Sequence, residues 1–325
     1  MTETSLSHPI VEPATGRAPL QLLAVCIGIA ALVAAPMFFY PIFVMKILCF
    51  ALFASAFNLL LGYTGLLSFG HAAFFGGAAY VTAHAAKVWG FPPELAVVAG
   101  VSSAIVIGAV IGFLAIRRQG IYFAMITLAL SQMFYFFCLQ APFTGGEDGI
   151  QGVPRGKLFG LIDLGQTMNM YYFVLGVFLL GIFAIWRIVN SPFGAILKSI
   201  RENETRAISL GLSVNAYKLS AFVMSAAIAG LAGSTKALIF QFATLTDVTW
   251  QMSGEVILMT LMGGIGTLLG PVVGAGLVVT LQNVLATSEF PVTVITGATF
   301  MLCVLAFRRG IVGEFEAAID RWKRR

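Results

Sequence analysis

Lys198, Arg201, Glu202, Glu204 and Arg206 crowd one short window of a chain in which only 10% of residues are charged. Mixed signs at this spacing read either as a partner-recognition surface or as a solvated connector with no partner, and Glu202 precedes Arg206 by four residues, the favourable order for a helical ion pair. The window offers no nucleophile and no metal shell. Elsewhere ionisable groups are sparse. Lys46 and Lys236 stand near the ends of apolar runs, where a long side chain can reach water, and Glu255 stands where a helix begins and its dipole favours a carboxylate. Ion-coupled transporters keep chains of buried acids or histidines to carry protons, and no such chain is visible. His71, next to Gly70, reads either as a pathway-lining group or as a buried histidine satisfying a helix break. The neighbours Glu147 and Asp148 are too few for calcium. The run GSTK at Gly233–Lys236 lacks the glycine spacing of a phosphate-binding loop and reverses its lysine and hydroxyl, and no GxSxG nucleophile turn occurs. Cys26, Cys49, Cys138 and Cys303 lie in separate apolar runs without CxxC spacing and read as small hydrophobes. No metal and no cofactor is expected on this chain, so any energy for work comes from outside it.

The charged window needs an element to hold it. Ser191 followed by Pro192 predicts a helix start, because the serine hydroxyl accepts an orphan backbone N–H and proline at the first position forfeits no hydrogen bond. Phe193, Ile196, Leu197 and Ile200 then form one apolar stripe, a break is expected near Asn203, and Gly211 is a stop. Around it the chain is built for lipid. With 325 residues, 59% of them hydrophobic, and a mean hydropathy of +0.93, it reads as an all-α polytopic membrane protein. Spans of about 20 apolar residues are expected over 22–39, 42–61, 94–116, 121–140, 168–189, 217–240 and 291–307. Glycines interrupt 58–80 and 254–283. The first should face the protein interior, since unwound backbone at membrane depth must be covered; the second reads as two short helices joined by a turn. The total is eight to ten spans.

Small residues predict tight packing at Gly108 and Gly112, and at Ser225, Ala229 and Gly233 with Ala226 and Gly230. Gly62, Gly65 and Gly70 find an echo in Gly263, Gly266 and Gly270. Residues 1–20 read as a polar tail, 21–307 as the transmembrane domain with a charged loop at 191–216 and an opposite loop at 141–167, and 308–325 as a basic amphipathic tail ending RWKRR. Basic residues cluster on the side of Arg117, Arg118, Arg187 and the charged window, which assigns that side and both termini to the cytoplasm.

The blocks NLLLGYTGLLSFGHAAFFGGAAY (58–80), GIYFAMITLALSQ (120–132), TGGEDGIQGVP (144–154), SPFGAILKSIRENETRAISLGLSVNAYKLSAFVMSAAIAGLAG (191–233) and LMGGIGTLLGP (261–271) together resemble the LivM-type permease subunits of ABC importers for branched-chain amino acids. The resemblance implies a subunit of the bacterial inner membrane that pairs with a LivH-type second permease, two cytoplasmic ABC ATPase subunits that bind ATP and magnesium, and a periplasmic substrate-binding protein. It makes Arg201, Glu202, Asn203, Glu204, Arg206, Ala207 and Gly211 an ATPase-coupling element. It places Asn58, Gly62, Tyr63, Gly65, Ser68, Gly70, His71, Gly263 and Gly266 along the translocation path. Lys236 and Glu147 depart from the family pattern, which leaves urea or short amides open beside amino acids as solute. A stand-alone secondary transporter or channel is the rival reading. No nucleic-acid partner is implied.

Overall fold

In hydrocarbon every backbone N–H and C=O must find its partner inside the segment, so runs this apolar form helices. The computed structural model describes residues 18–286, 292–306 and 310–314. Its helices are α1 Ala18–Phe38, α2 Pro41–Thr64, α3 His71–Lys87, α4 Pro93–Ala115, α5 Ile121–Gln140, α6 Thr167–Val189, α7 Pro192–Glu202, α8 Glu204–Ser209, α9 Val214–Phe240, α10 Trp250–Gly263, α11 Gly270–Leu285 and α12 Val292–Ala306. Among the described residues, strand is confined to two antiparallel two-residue ladders, β1 Ile150–Gln151 with β4 Phe242–Ala243, and β2 Lys157–Leu158 with β3 Ile162–Asp163. The protein is an all-α polytopic membrane protein. The segments 1–17 and 315–325, including the RWKRR terminus, lie outside the described residues.

Among the described residues five helices, α2, α4, α5, α6 and α9, are long and apolar enough to cross a membrane. Burial sorts them: α2 and α9 are 78% buried over their apolar windows, whereas α4, α5 and α6 are 28–33% buried. The first two are therefore the axis of the bundle, and the other three present apolar faces such as Val106, Val110 and Phe113 outward. Small residues let the axis pack closely. A Cβ on Gly108 would stand 2.5 Å from the Ala226 Cβ, one on Gly230 2.3 Å from the Ala104 Cβ, and one on Gly233 1.9 Å from the Phe75 carbonyl oxygen. These are the α4–α9 and α3–α9 crossings, and both follow the small-residue spacing read from the sequence.

The glycine-rich stretches divide. Gly62, Gly76 and Gly77 sit inside intact helices, contrary to the expectation of interruptions there; they admit close neighbours, Val248 and the Asp247 backbone at Gly76 and Phe134 at Gly77. The break lies only at 65–70. There Gly65 takes a left-handed conformation (φ 75°) and closes α2 by donating its N–H to the Leu61 carbonyl. The 254–283 stretch is two helices joined by a turn, as expected, with Gly266 at φ 79°. Both glycine triplets thus border a helix–break–helix unit.

Candidate functional site

The charged window folds as α7 and α8, which hang from the bundle at the end that carries Arg117, Arg118 and Arg187, here called the basic end. Ser191 Oγ accepts from the Gly194 N–H at 3.4 Å, and Asn203 Oδ1 accepts from the Arg206 N–H at 2.9 Å. Asn203 is extended (φ −156°), so it ends one helix and caps the next. That break separates Glu202 from Arg206, and the helical ion pair expected between them does not form. Gly211, at φ 82°, turns the chain towards α9. Ile200, Ala207 and Val214, with Ile196, Leu212 and Tyr217 against them, make a small core separate from the main one. The α7–α8 element therefore packs as one unit with the start of α9.

Its charges do not all face the same way. Glu204 accepts from Lys218 of α9 at 2.7 Å and from Gln119 of the α4–α5 connection at 2.8 Å, and Lys218 is 4% exposed. Arg201 donates from Nη1 to the carbonyl of Gly62 in α2. Lys198, Glu202 and Arg206 are exposed, as are Ile208 (57%) and Leu210 (72%), two large apolar side chains at the tip that sequence reasoning missed. Ala207 is wholly buried and anchors the element. Lys198, Arg201, Glu202, Gly62, Tyr63 and Gly266 line a cleft of about 400 Å3, with the Lys198 ammonium 5.6 Å from the centre of the Tyr63 ring.

Above this cleft Asn58 of α2 uses both ends of its amide on the α10–α11 turn. Its Nδ2 donates to the Thr267 carbonyl at 2.8 Å, and its Oδ1 accepts from the Gly266 N–H at 2.9 Å. Gly62 makes room: a Cβ there would stand 2.3 Å from Asn58 Oδ1 and 2.8 Å from the Gly266 nitrogen. Gly263 packs backbone to backbone, with Gly270 O only 1.8 Å from its Cβ position. The nine residues that the resemblance placed on one path are thus two groups. Asn58, Gly62, Tyr63, Gly65, Gly263 and Gly266 gather at the basic end, while Ser68, Gly70 and His71 lie deeper.

The deeper group is set by the break. Residues 65–70 turn back into the bundle, so that α3 begins level with Ala56, about 12 Å from the end of α2 at 1.5 Å per residue. Exposed amides at that depth need partners, and polar side chains supply them. Phe69 N–H donates to Thr127 Oγ1 at 3.1 Å, Gly70 N–H to Ser68 Oγ at 3.1 Å, and Ala72 N–H to Ser253 Oγ of α10 at 3.0 Å. Ser225 Oγ donates to the Ala56 carbonyl at 2.5 Å, which leaves it to accept from His71 Nε2–H at 2.9 Å. The His71 ring is edge-on to Phe57, Phe74 and Phe222, and its Nδ1 has no partner. Ser68 and His71 are wholly buried.

At the opposite end Lys236 does not reach water, as expected of a lysine at a span's end, but forms a 2.6 Å ion pair with Asp247. The two side chains are 7% and 4% exposed. Thr244 and Asp247 form a capping box, and the ammonium lies 4.4 Å from the centre of the Phe242 ring. The T-x-x-D spacing before α10 was the available signal for Asp247. Glu147 and Asp148 are exposed on a single turn, Cys49 and Cys138 are free and buried, and no cluster of three or more metal-ligating side chains occurs among the described residues.

The sequence profile of the family described as branched-chain amino acid transport system / permease component matches residues 39–306. The high-affinity branched-chain amino acid transport system permease protein LivM of Salmonella typhimurium is 28% identical over 276 residues, covering 76% of this chain and 64% of its own. The protein of the same name from Escherichia coli is 27% identical over 277 residues, with the same coverage. This chain therefore spans somewhat less than two thirds of the curated relatives it matches. No solved structure matches it. The matched region runs from the N-terminal turn of the axial helix α2 through α12 and includes both broken units and the α7–α8 element, and on that extent the chain belongs to the branched-chain amino acid transport system permease family.

Proposed function

We propose that this chain is the membrane-spanning permease subunit of an ATP-driven importer of the bacterial inner membrane, carrying branched-chain or related amino acids delivered by a periplasmic binding protein. It works beside a LivH-type second permease and two cytoplasmic ATPases, on which ATP and magnesium reside. The basic end and both termini face the cytoplasm. One observation carries the reading: a compact amphipathic element with its own core projects from the basic end, exposing Ile208 and Leu210 beside Glu202 and Arg206. Large apolar side chains ringed by charge are what a partner's groove takes up. On the relatives' names, the solute is a branched-chain amino acid.

The translocation path borders the break at 65–70. Ser68, Gly70 and His71 are buried within this chain, so on this reading a path there opens when α3 shifts against α9 and α10. The experiment is uptake of labelled leucine, isoleucine and valine into proteoliposomes holding this chain with its second permease, ATPases and binding protein. Uptake requires ATP and all components. Uptake by this chain alone, driven by an ion gradient, overturns the importer reading. Competition by urea or short amides in place of leucine overturns the solute class.

A further inference from the structure

We infer that Arg201 is the residue through which movement of the α7–α8 element reaches the membrane helices, and that Asn58 passes it from one broken helical unit to the other. The inference rests on the proposed function and deepens it: the resemblance makes Arg201 one of the residues that dock an ATPase, and the geometry turns it the other way.

The Gly62 carbonyl is one of the last four of α2 and so lacks an intrahelical donor. A guanidinium at that position gains both the charge-assisted hydrogen bond and the favourable end of the helix dipole. The Arg201 stem lies 3.3 Å from the Cβ position of Gly65, and its Nη1 lies 3.3 Å from that of Gly266. Arg201 thus touches the helix–break–helix unit of α2–α3 at its break and the α10–α11 unit at its turn. Asn58, 2% exposed, locks those two units together through the Gly266 N–H and the Thr267 carbonyl. Where Gly62 and Gly266 meet, nothing larger than hydrogen separates the backbones. Packed groups of this kind transmit displacement because they cannot deform continuously. Push or pull on α7 therefore arrives at residues 65–70 and 264–269 together.

The outward side chains have a different task. Lys198, Glu202 and Arg206 are exposed, without an ion pair among the described residues, and are free to meet a partner. Arg201 is also exposed on its outer side, so Arg201→Gln replaces no core group.

The test uses the full importer in proteoliposomes and reads solute taken up per ATP hydrolysed, together with recovery of the assembled complex. Arg201→Gln keeps assembly and ATP hydrolysis within about twofold of wild type and lowers uptake per ATP by about tenfold, the range of a typical coupling free energy. Arg201→Lys, which keeps the charge but not the fork, is intermediate. Asn58→Ala shows the same uncoupling. Arg206→Ala lowers assembly instead. Loss of assembly in Arg201→Gln makes it a docking residue and overturns the inference, and so does unchanged uptake per ATP. Wild-type complex without ATP-dependent uptake overturns the proposed function itself, a separate result.

Discussion

The buried pair of Lys236 and Asp247 predicts a non-additive loss of stability. Replacing Lys236 with methionine keeps the stem and removes the ammonium. Asp247, 4% exposed, is then left with Thr244 as its remaining donor, through the backbone N–H and the hydroxyl, each at 3.4 Å. Removing one partner of a buried pair costs about 3–5 kcal/mol, because the other charge stays desolvated. Asp247→Asn keeps an oxygen for the Thr244 cap and strands the ammonium instead. The Phe242 ring lies 4.4 Å from the ammonium with or without Asp247, so it cancels in the comparison and the cost stays at about 3–5 kcal/mol. The Lys236→Met/Asp247→Asn double variant strands neither charge. Its loss is smaller than the sum of the singles by about 2 kcal/mol or more. Thermal unfolding in detergent, followed by intrinsic fluorescence, shows Lys236→Met melting roughly 5–10 °C below wild type and the double variant recovering part of the difference. Additive singles, or a Lys236→Met protein that melts with wild type, would mean that both charges reach water and would refute the burial argument.

Three further outcomes follow from packing and backbone geometry. Gly233→Ala places a methyl carbon 1.9 Å from the Phe75 carbonyl oxygen, where the obstacle is backbone, and costs about 1–3 kcal/mol, read as loss of monodisperse protein on size exclusion. Glu204→Ala removes the counter-charge of Lys218 and the acceptor of Gln119, and loosens the α7–α8 element, read as faster proteolysis within 203–213 while the bundle resists. Gly211→Ala meets no atom within 4 Å but forces alanine into φ 82°, at a cost of about 1 kcal/mol, read as faster amide exchange confined to 204–214.

Much of the architecture was legible because membrane helices announce themselves by length and apolarity, and their breaks by glycine and proline. The start of α7 at Ser191-Pro192, the break at Asn203 and the α10–α11 turn all follow from local chemistry. What was illegible is long-range. Asn58 and Gly266 are 208 residues apart, and Arg201 and Gly62 are 139 apart, so no spacing rule connects them. Glu204 and Lys218 were both visible as charges, yet only the fold decides that Glu204 pairs inward with Lys218 while Glu202 and Arg206 stay apart. Lys236 misled for a related reason. A lysine near a span's end ordinarily reaches water, and here the folded-over segment carrying Asp247 covers it.

The division of charges in the α7–α8 element explains why a short polar element in an apolar chain needs so many of them. A surface that only docks could rely on Ile208 and Leu210 with a charged rim. On the proposed coupling role the element also drags membrane helices, and that needs bonds in the opposite direction, directed at backbone within the bundle. Arg201 meets the freed carbonyl at the end of α2, and Glu204 meets α9 and the α4–α5 connection, so the two inward charges grip different helices of the bundle. Both axial helices, α2 and α9, are held in this way at the same end. On the proposed coupling role, displacing the element would shift both axial helices, and with one grip cut it would act mainly on the helix still held. Arg201→Gln and Glu204→Gln should accordingly differ in which break they disturb. Amide exchange at 65–70 and 264–269 rises in the first, and exchange at 116–121 rises in the second. Identical exchange patterns in both variants would show that the two grips act as one.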